Sequence, residues 1–316
     1  MTPAAPTTEA GLTQAGPGTR QPRWLWPLLA VPGAVWLAVL FLLPFYVALA
    51  VAGGTVNPLF LNAVPIWNPA HWQSGYVRQV ITDLFGANAF LGPTVARTLL
   101  YVAVASVLCL LIGYPVAYFL ARQAGRRKGL YLVAVIAPFW VSYMMRMLAW
   151  QNLLQGNGLV NHALIVAHLI TQPVNWLSGM PVTVIFGLVY GYVPYVIVVL
   201  YAGLDRIDGS LLEAARDLGL GRTRTFLHVT LPLSRQVVYA GALITALPMA
   251  GDFYTNTMLS GVPSTTMVGN VISNSLSTPG QGGEGAVLVL FLLIVMLAPM
   301  IWYVRGTSRA GIGDVL

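Results

Sequence analysis

The sequence predicts an all-α integral membrane protein with six transmembrane helices, and three observations carry that reading. Only 8% of the 316 residues are charged and 57% are hydrophobic, whereas about a quarter of a soluble globular domain is charged. The mean hydropathy is +0.74. The 16 Lys and Arg residues come in small groups between long uncharged runs, the pattern of cytoplasmic loops. Too few ionisable side chains are present to solvate a globule, so soluble enzymes and disordered proteins are excluded. The net charge of +7 invites nucleic acid as a partner, but the grouping of the charges argues against it. Cys109 is the lone cysteine and lies in an apolar run, so no intrachain disulfide framework exists. A bacterial inner membrane fits.

Residues 1–20, rich in Thr, Ala, Gly and Pro without apolar periodicity, read as a disordered cytoplasmic tail. Crossing the hydrocarbon core takes roughly 20 mainly apolar residues. The first span runs from Trp24 to Val51, with a bent or interrupted entry expected from Pro27, Pro32 and Pro44. The others are Thr98–Leu120, Leu130–Leu148, Pro181–Leu204, Gln236 to about Thr255, and Gly285–Val304. The segment Tyr76–Phe85 suits a short amphipathic helix. Ala163–Ile170 is too short to span and reads as interfacial or re-entrant. The membrane-spanning domain is then 21–305, with a loop at 203–235 and a C-terminal tail at 306–316.

Orientation follows from the basic residues. Arg20 and Arg23 precede the first span, and Arg122, Arg126, Arg127 and Lys128 lie between the second and third. Arg206, Arg216, Arg222, Arg224 and Arg235 lie between the fourth and fifth, and Arg305 and Arg309 follow the sixth. These are 13 of the 16, which places both termini and both basic loops in the cytoplasm.

The loop between the fourth and fifth spans is the most informative segment. It contains Glu213-Ala214-Ala215, three residues, Gly219, nine residues, then Val229, Leu231 and Pro232. A short helix begins there, capped either by Asp208 or by a Ser210–Glu213 capping box. Ala214 and Ala215 leave a smooth surface that another protein can approach. Gly219 permits a left-handed stop, and Pro232 marks a chain break before the fifth span.

This pattern resembles the signature loop of permease subunits of bacterial ATP-binding-cassette importers. Further stretches resemble the polyamine (spermidine/putrescine) branch, and its first permease in particular: Gly113-Tyr114-Pro115-Val116-Ala117-Tyr118, Pro138-Phe139-Trp140-Val141-Ser142 through Arg146 to Trp150, Asp252-Phe253, and Met267-Val268-Gly269-Asn270. The resemblance covers about residues 25–304. Ser260-Gly261 stands where that branch often has a double Gly, and Thr278-Pro279-Gly280 where it has Trp-Pro. The resemblance implies the type I importer (MetI-like) permease fold. It also implies a coupling role for Glu213, Ala214, Ala215, Gly219, Leu231 and Pro232. The partners it implies are a second permease, two ATPase subunits and an extracytoplasmic binding protein, with ATP and Mg bound by the ATPase and no cofactor in this chain. An importer for another small solute (an organic amine, an amino-acid derivative or an iron complex) and an ion-coupled secondary transporter are the alternatives. Adjacent ATPase and binding-protein genes would separate the last from the rest.

A polycation path needs carboxylates and aromatic faces. Of nine acidic residues, Asp83, Asp252 and Glu284 fall on the outer half. Asp252, flanked by Phe253 and Tyr254, is the one carboxylate inside an expected span. It reads as a substrate contact, a partner for Arg146, or a water-exposed helix end. Trp140, Tyr143 and Trp150 read as path residues or interface anchors, and Glu284 as an outer path residue. Nothing supports an enzyme. The only lysine, Lys128, follows Arg127 and precedes Gly129, so no P-loop is present. No Gly-x-Ser-Gly motif occurs, and His71, His162, His168 and His228 lack a metal-ligand spacing.

Overall fold

A computed structural model describes residues 25–86 and 89–313, with side chains placed for 28–86 and 89–306. The expected tail at 1–20 and the start of the first span at Trp24 lie outside the described residues. Helix α1 (Leu25–Ala52) is followed by a two-stranded antiparallel hairpin, β1 (Thr55–Val56) and β2 (Ala63–Val64), then α2 (Gly75–Phe85) and α3 (Leu91–Arg122). Next come α4 (Lys128–Ile136), α5 (Tyr143–Leu153), α6 (Leu159–Val166) and α7 (Pro181–Leu204). The chain continues through α8 (Gly209–Asp217), α9 (Arg222–Thr225), α10 (Leu231–Ala250), α11 (Tyr254–Leu259), α12 (Val268–Ser277) and α13 (Gly282–Gly313).

Residues 25–47 form one compact unit, the larger part of α1. They are continuous helix despite Pro32 and Pro44, so the expected interruption does not occur. Each proline removes one ladder hydrogen bond, and the flanking bonds hold the helix.

The second unit, from Ala48 onward, is built on α3, α7 and α10. Tyr101, Val102, Ala105, Cys109, Ala117 and Leu120 of α3 pack with Val184, Leu188, Val196, Leu200 and Leu204 of α7 and Met249 of α10. Small residues allow the close crossings that apolar surroundings favour. A Cβ on Gly113 would stand 2.9 Å from a Val196 methyl. The opposite flank of α3 carries exposed Leu100, Val107, Leu111, Ile112 and Phe119, a surface suited to lipid. A second cluster joins α2 and the outer end of α3 to α13 through Val80, Leu84, Leu91 and Leu288. Val80 and Leu84 make α2 the amphipathic helix that the sequence predicts.

Among the described residues four helical stretches are long and apolar enough to cross a bilayer: Leu28–Ala52, Leu91–Arg122, Pro181–Leu204 and Gly282–Gly306. The expected third span is not one helix. A 3₁₀ turn at Ala137–Trp140 and extended backbone at Val141 and Ser142 break it, and its two limbs meet at 84°. Counting that bent pair gives five. The expected fifth span is α10, displaced to Leu231–Ala250, and Ser234, Arg235 and Gln236 dilute its first turns. It ends before Asp252, so Asp252 lies between helices. The expected Ala163–Ile170 helix is α6, which starts and ends four residues earlier. Finally, α13 runs past residue 305 to Gly313, and residues 314–316 lie outside the described residues.

Candidate functional site

The signature loop begins where α7 ends. Arg122 of α3 donates through Nη2 to the carbonyl oxygens of Leu204 (2.8 Å) and Ile207 (2.7 Å), satisfying acceptors that the end of α7 leaves open. Asp208 then caps α8, its Oδ1 accepting the Ser210 backbone N–H at 3.0 Å. That bond holds the Asp208 carboxyl below the usual carboxylate range. Of the two capping schemes open to the sequence, the structure therefore uses Asp208.

Helix α8 ends in a Schellman motif: Leu220 N–H donates to Ala215 O (3.1 Å) and Gly219 N–H to Arg216 O (2.8 Å). Gly219 sits at φ +85° with open space where a Cβ would be. Backbone conformation alone requires glycine there.

The expected break at Pro232 is absent. Helical backbone continues from Arg222 through a π-helical stretch at Phe226–Thr230 into α10. The wider π turn relieves the clash that a proline ring makes with the carbonyl four residues back. Phe226 fixes this segment to α3, edge-on to Tyr114 (5.7 Å) and Tyr118 (5.4 Å). Ser234 Oγ shares a 2.8 Å hydrogen bond with Tyr114 Oη.

Helix α8 buries Leu212 and Ala215, while Glu213, Ala214 and Gly219 are exposed, as are Leu231 and Pro232 at the start of α10. Sequence reasoning missed Leu211 and Leu218, which are 49% and 84% exposed. With Ala214 they stand at i, i+3 and i+7 on one face. The signal was present: α8 is apolar on more of its circumference than its packing uses.

The second candidate site joins two helix breaks. Asp252 is 7% exposed. Its Oδ1 accepts the Thr255 backbone N–H at 3.0 Å, and its Oδ2 accepts the Tyr143 hydroxyl and the Thr255 hydroxyl, each at 2.6 Å. Tyr143 is the first residue of α5, and its ring lies where α7 has only Gly191, on which a Cβ would stand 2.7 Å from Tyr143 Cε2.

Arg146, one turn further along α5, makes no ion pair with Asp252; each of the two contacts Tyr143 instead. Its guanidinium carbon sits 5.4 Å from the Tyr143 ring centre and 5.6 Å from that of Phe139. Arg146 Nε and Nη1 are buried without hydrogen-bond partners. The site thus also includes Thr255, three places after Asp252 at capping spacing, and Phe139. Tyr192 also stands beside Tyr143, its ring centre 5.9 Å away.

The remaining path residues scatter. Trp150 packs edge-on against Phe186 (4.6 Å) and Tyr190 (5.3 Å). Trp140 is 82% exposed on the 3₁₀ turn, and Phe253 and Tyr254 pack on each other at 4.3 Å. Glu284, in the first turn of α13, accepts a hydrogen bond from Gln79 of α2. It lines a separate cavity of about 480 Å³ with Asp83 and Arg97. Among the described residues no group of three His, Cys, Asp or Glu is placed to hold a metal ion.

Residues 113–310 match the family model "Binding-protein-dependent transport system inner membrane component". The chain is 32% identical over 273 residues to the spermidine/putrescine transport system permease protein PotB of Haemophilus influenzae, covering 86% of this chain and 91% of that one. It is also 32% identical over 239 residues to PotB of Escherichia coli, covering 74% and 86% respectively. Among solved structures, a chain of a bacterial ABC transporter that imports the acidic polysaccharide alginate superposes with a TM-score of 0.63. That superposition covers 90% of this chain and 96% of the other at 17% identity, so it speaks to fold alone.

Proposed function

The chain belongs to the family of binding-protein-dependent transport system inner membrane components, and from that premise we propose that it is the permease subunit of an ATP-driven importer for polyamines. It provides part of the translocation path and carries no catalytic centre, and the hydrolysis of ATP belongs to a separate subunit. A second permease completes the path, two ATPase subunits drive it, and an extracytoplasmic protein delivers substrate. The basic loops, with 13 of 16 Lys and Arg, face the cytoplasm of a bacterial cell, and the outer segments face the binding protein. Support for the polyamine class comes from the relatives, which are named for spermidine and putrescine and match most of this chain.

The observation that carries the coupling role is the surface of α8. Leu211, Ala214 and Leu218 form an apolar strip on a helix rigidly capped at both ends. An unpartnered strip of this kind on a basic cytoplasmic loop suits a groove on another protein.

Two measurements test the proposal. Leu218→Asp, at a site with almost no packing inside the chain, should abolish co-purification of the ATPase and leave the abundance of the permease unchanged; undiminished co-purification would refute the docking role. Uptake of labelled spermidine or putrescine by cells lacking other polyamine importers should depend on this chain and its neighbouring subunits. No uptake from a fully assembled complex would overturn the substrate class.

A further inference from the structure

A cleft of about 670 Å³ opens between the inner end of α3 and the coupling segment. It is lined by Tyr118, Arg122, Gln123, Arg216, Arg222, Thr223 and Phe226. Three guanidinium groups, from α3, α8 and α9, therefore face one space, and none of the lining residues is acidic. Among the described residues none of these three arginines is within ion-pair distance of a carboxylate; the Lys128–Asp205 pair (3.5 Å) involves none of them. Arg122 is already positioned by its two carbonyl acceptors, and its Nε is buried without a partner. An arginine cluster with one member held in place is the chemistry that recognises a phosphate group.

The position of the cleft selects the source of that phosphate. The last exposed large apolar residue of α3 is Phe119. Arg122 follows three residues later, about 4.5 Å along the axis. The cleft thus opens within one helical turn of the lipid-facing surface, at the depth where phospholipid headgroups lie. Arg126, Arg127 and Lys128 continue the positive charge beside it without lining it. Basic pockets between helices on the cytoplasmic side are suited to anionic headgroups.

We propose that the Arg122–Arg216–Arg222 cleft binds the phosphate of an anionic phospholipid, so that a lipid headgroup is held between α3 and the coupling segment. The proposal shares with the proposed function only the assignment of this loop to the cytoplasmic face, and its test uses no transport. The full-length chain is purified into nanodiscs of equal parts phosphatidylcholine and phosphatidylglycerol. It is then stripped stepwise with detergent, and the retained lipid is identified by native mass spectrometry.

Wild-type protein should retain phosphatidylglycerol over phosphatidylcholine, and millimolar inorganic phosphate should not displace it. Each cleft arginine is worth about a fivefold change in retention. Arg216→Gln with Arg222→Gln should therefore lower retention about 25-fold, while the charge-matched pair Arg126→Gln with Arg127→Gln should retain it. Both pairs alter exposed side chains, and a monodisperse elution profile for each confirms that it is folded.

Equal retention in all three proteins would overturn the proposal. Displacement by inorganic phosphate without preference between the two lipids would replace it with a free-anion site. Unchanged lipid retention combined with loss of the ATPase from the cleft pair would assign the arginines to an acidic surface of that partner instead, and would also refute the lipid site. Failure of the polyamine uptake test leaves these readings untouched.

Discussion

Replacing Asp252 by Asn separates a carboxylate that holds the fold from one that meets the substrate. In the structure both Asp252 oxygens are engaged: Oδ1 by the Thr255 N–H, Oδ2 by the hydroxyls of Tyr143 and Thr255. Asn keeps the shape and the Oδ1 bond. It weakens two charge-assisted bonds, each worth about 1.5–3 kcal/mol, and the hydroxyls recover part of that by turning to accept from the amide. Removal of a buried charge offsets more. A net loss of about 1–2 kcal/mol follows, enough to lower thermal stability modestly and leave most of the protein inserted.

Transport should respond differently. A substrate ammonium that takes the place of the Tyr143 hydroxyl gains a charge-assisted bond that Asn cannot supply. At about 1.4 kcal/mol per tenfold, uptake should fall between tenfold and a hundredfold in labelled-spermidine assays corrected for abundance. Tyr143→Phe removes the competing hydroxyl and keeps the ring against Gly191, so it should cost stability without that loss of uptake. Arg146→Gln should not rescue Asp252→Asn, because no ion pair joins the two charges and each contacts Tyr143 instead. Normal uptake at normal abundance in Asp252→Asn would refute the substrate contact, and rescue by Arg146→Gln would refute the geometry from which the contact is argued.

Gly219→Val places a side chain at φ +85°, which costs about 1–2 kcal/mol in open space. The protein should insert normally and lose substrate-stimulated ATP hydrolysis, whereas Gly219→Asn should keep it. Asn161 is buried and donates to the carbonyls of Gln155, Gly156 and Val174 while accepting from Val174 N–H and Trp176 Nε1–H. Asn161→Leu should cost about 3 kcal/mol or more by stranding those groups, read as protease cleavage within residues 167–175 of the reconstituted protein. Cysteines at Arg126 and Thr223 should label from the cytoplasm, and those at Gly156 and Thr278 from outside; any one reversed would break the six-span orientation.

Much of the fold was legible because bilayer physics writes long signals. Pro181–Leu204 matches α7 at both ends, since Pro181 opens the helix and Asp205 follows the last apolar turn. The amphipathic α2 was legible from its spacing, and the signature loop from residue types whose geometry is demanding: an aspartate that caps, a glycine at positive φ. The third span was misread because apolarity measures length in contact with lipid and is silent about direction. Val141 is apolar whether the chain runs straight or turns through 84°. Pro232 was misread for a related reason. A proline forbids an ordinary interior turn, but it does not forbid a helix whose hydrogen bonds have shifted to the π pattern just before it.

The charged cluster was legible only in part, and the missing part changes its meaning. Sequence reasoning could see that Asp252 and Arg146 both sit among apolar residues and that each needs an offset for its burial. Pairing them was the economical solution. The structure divides the burden instead. Hydroxyls and one backbone N–H satisfy the carboxylate, while two aromatic faces receive the guanidinium. An ion pair would have consumed both charges in one bond. The observed arrangement leaves the carboxylate held by neutral donors, which a cationic group can outcompete. Both charges adjoin breaks in the helical backbone, Asp252 after α10 and Arg146 in the first turn of α5. Backbone there is free of the regular ladder, and Tyr143 ties the two breaks together through its bond to Asp252. Exchange of that hydroxyl for an ammonium would release one broken helix from the other, and occupancy of the site would then be coupled to movement of the segments that form it.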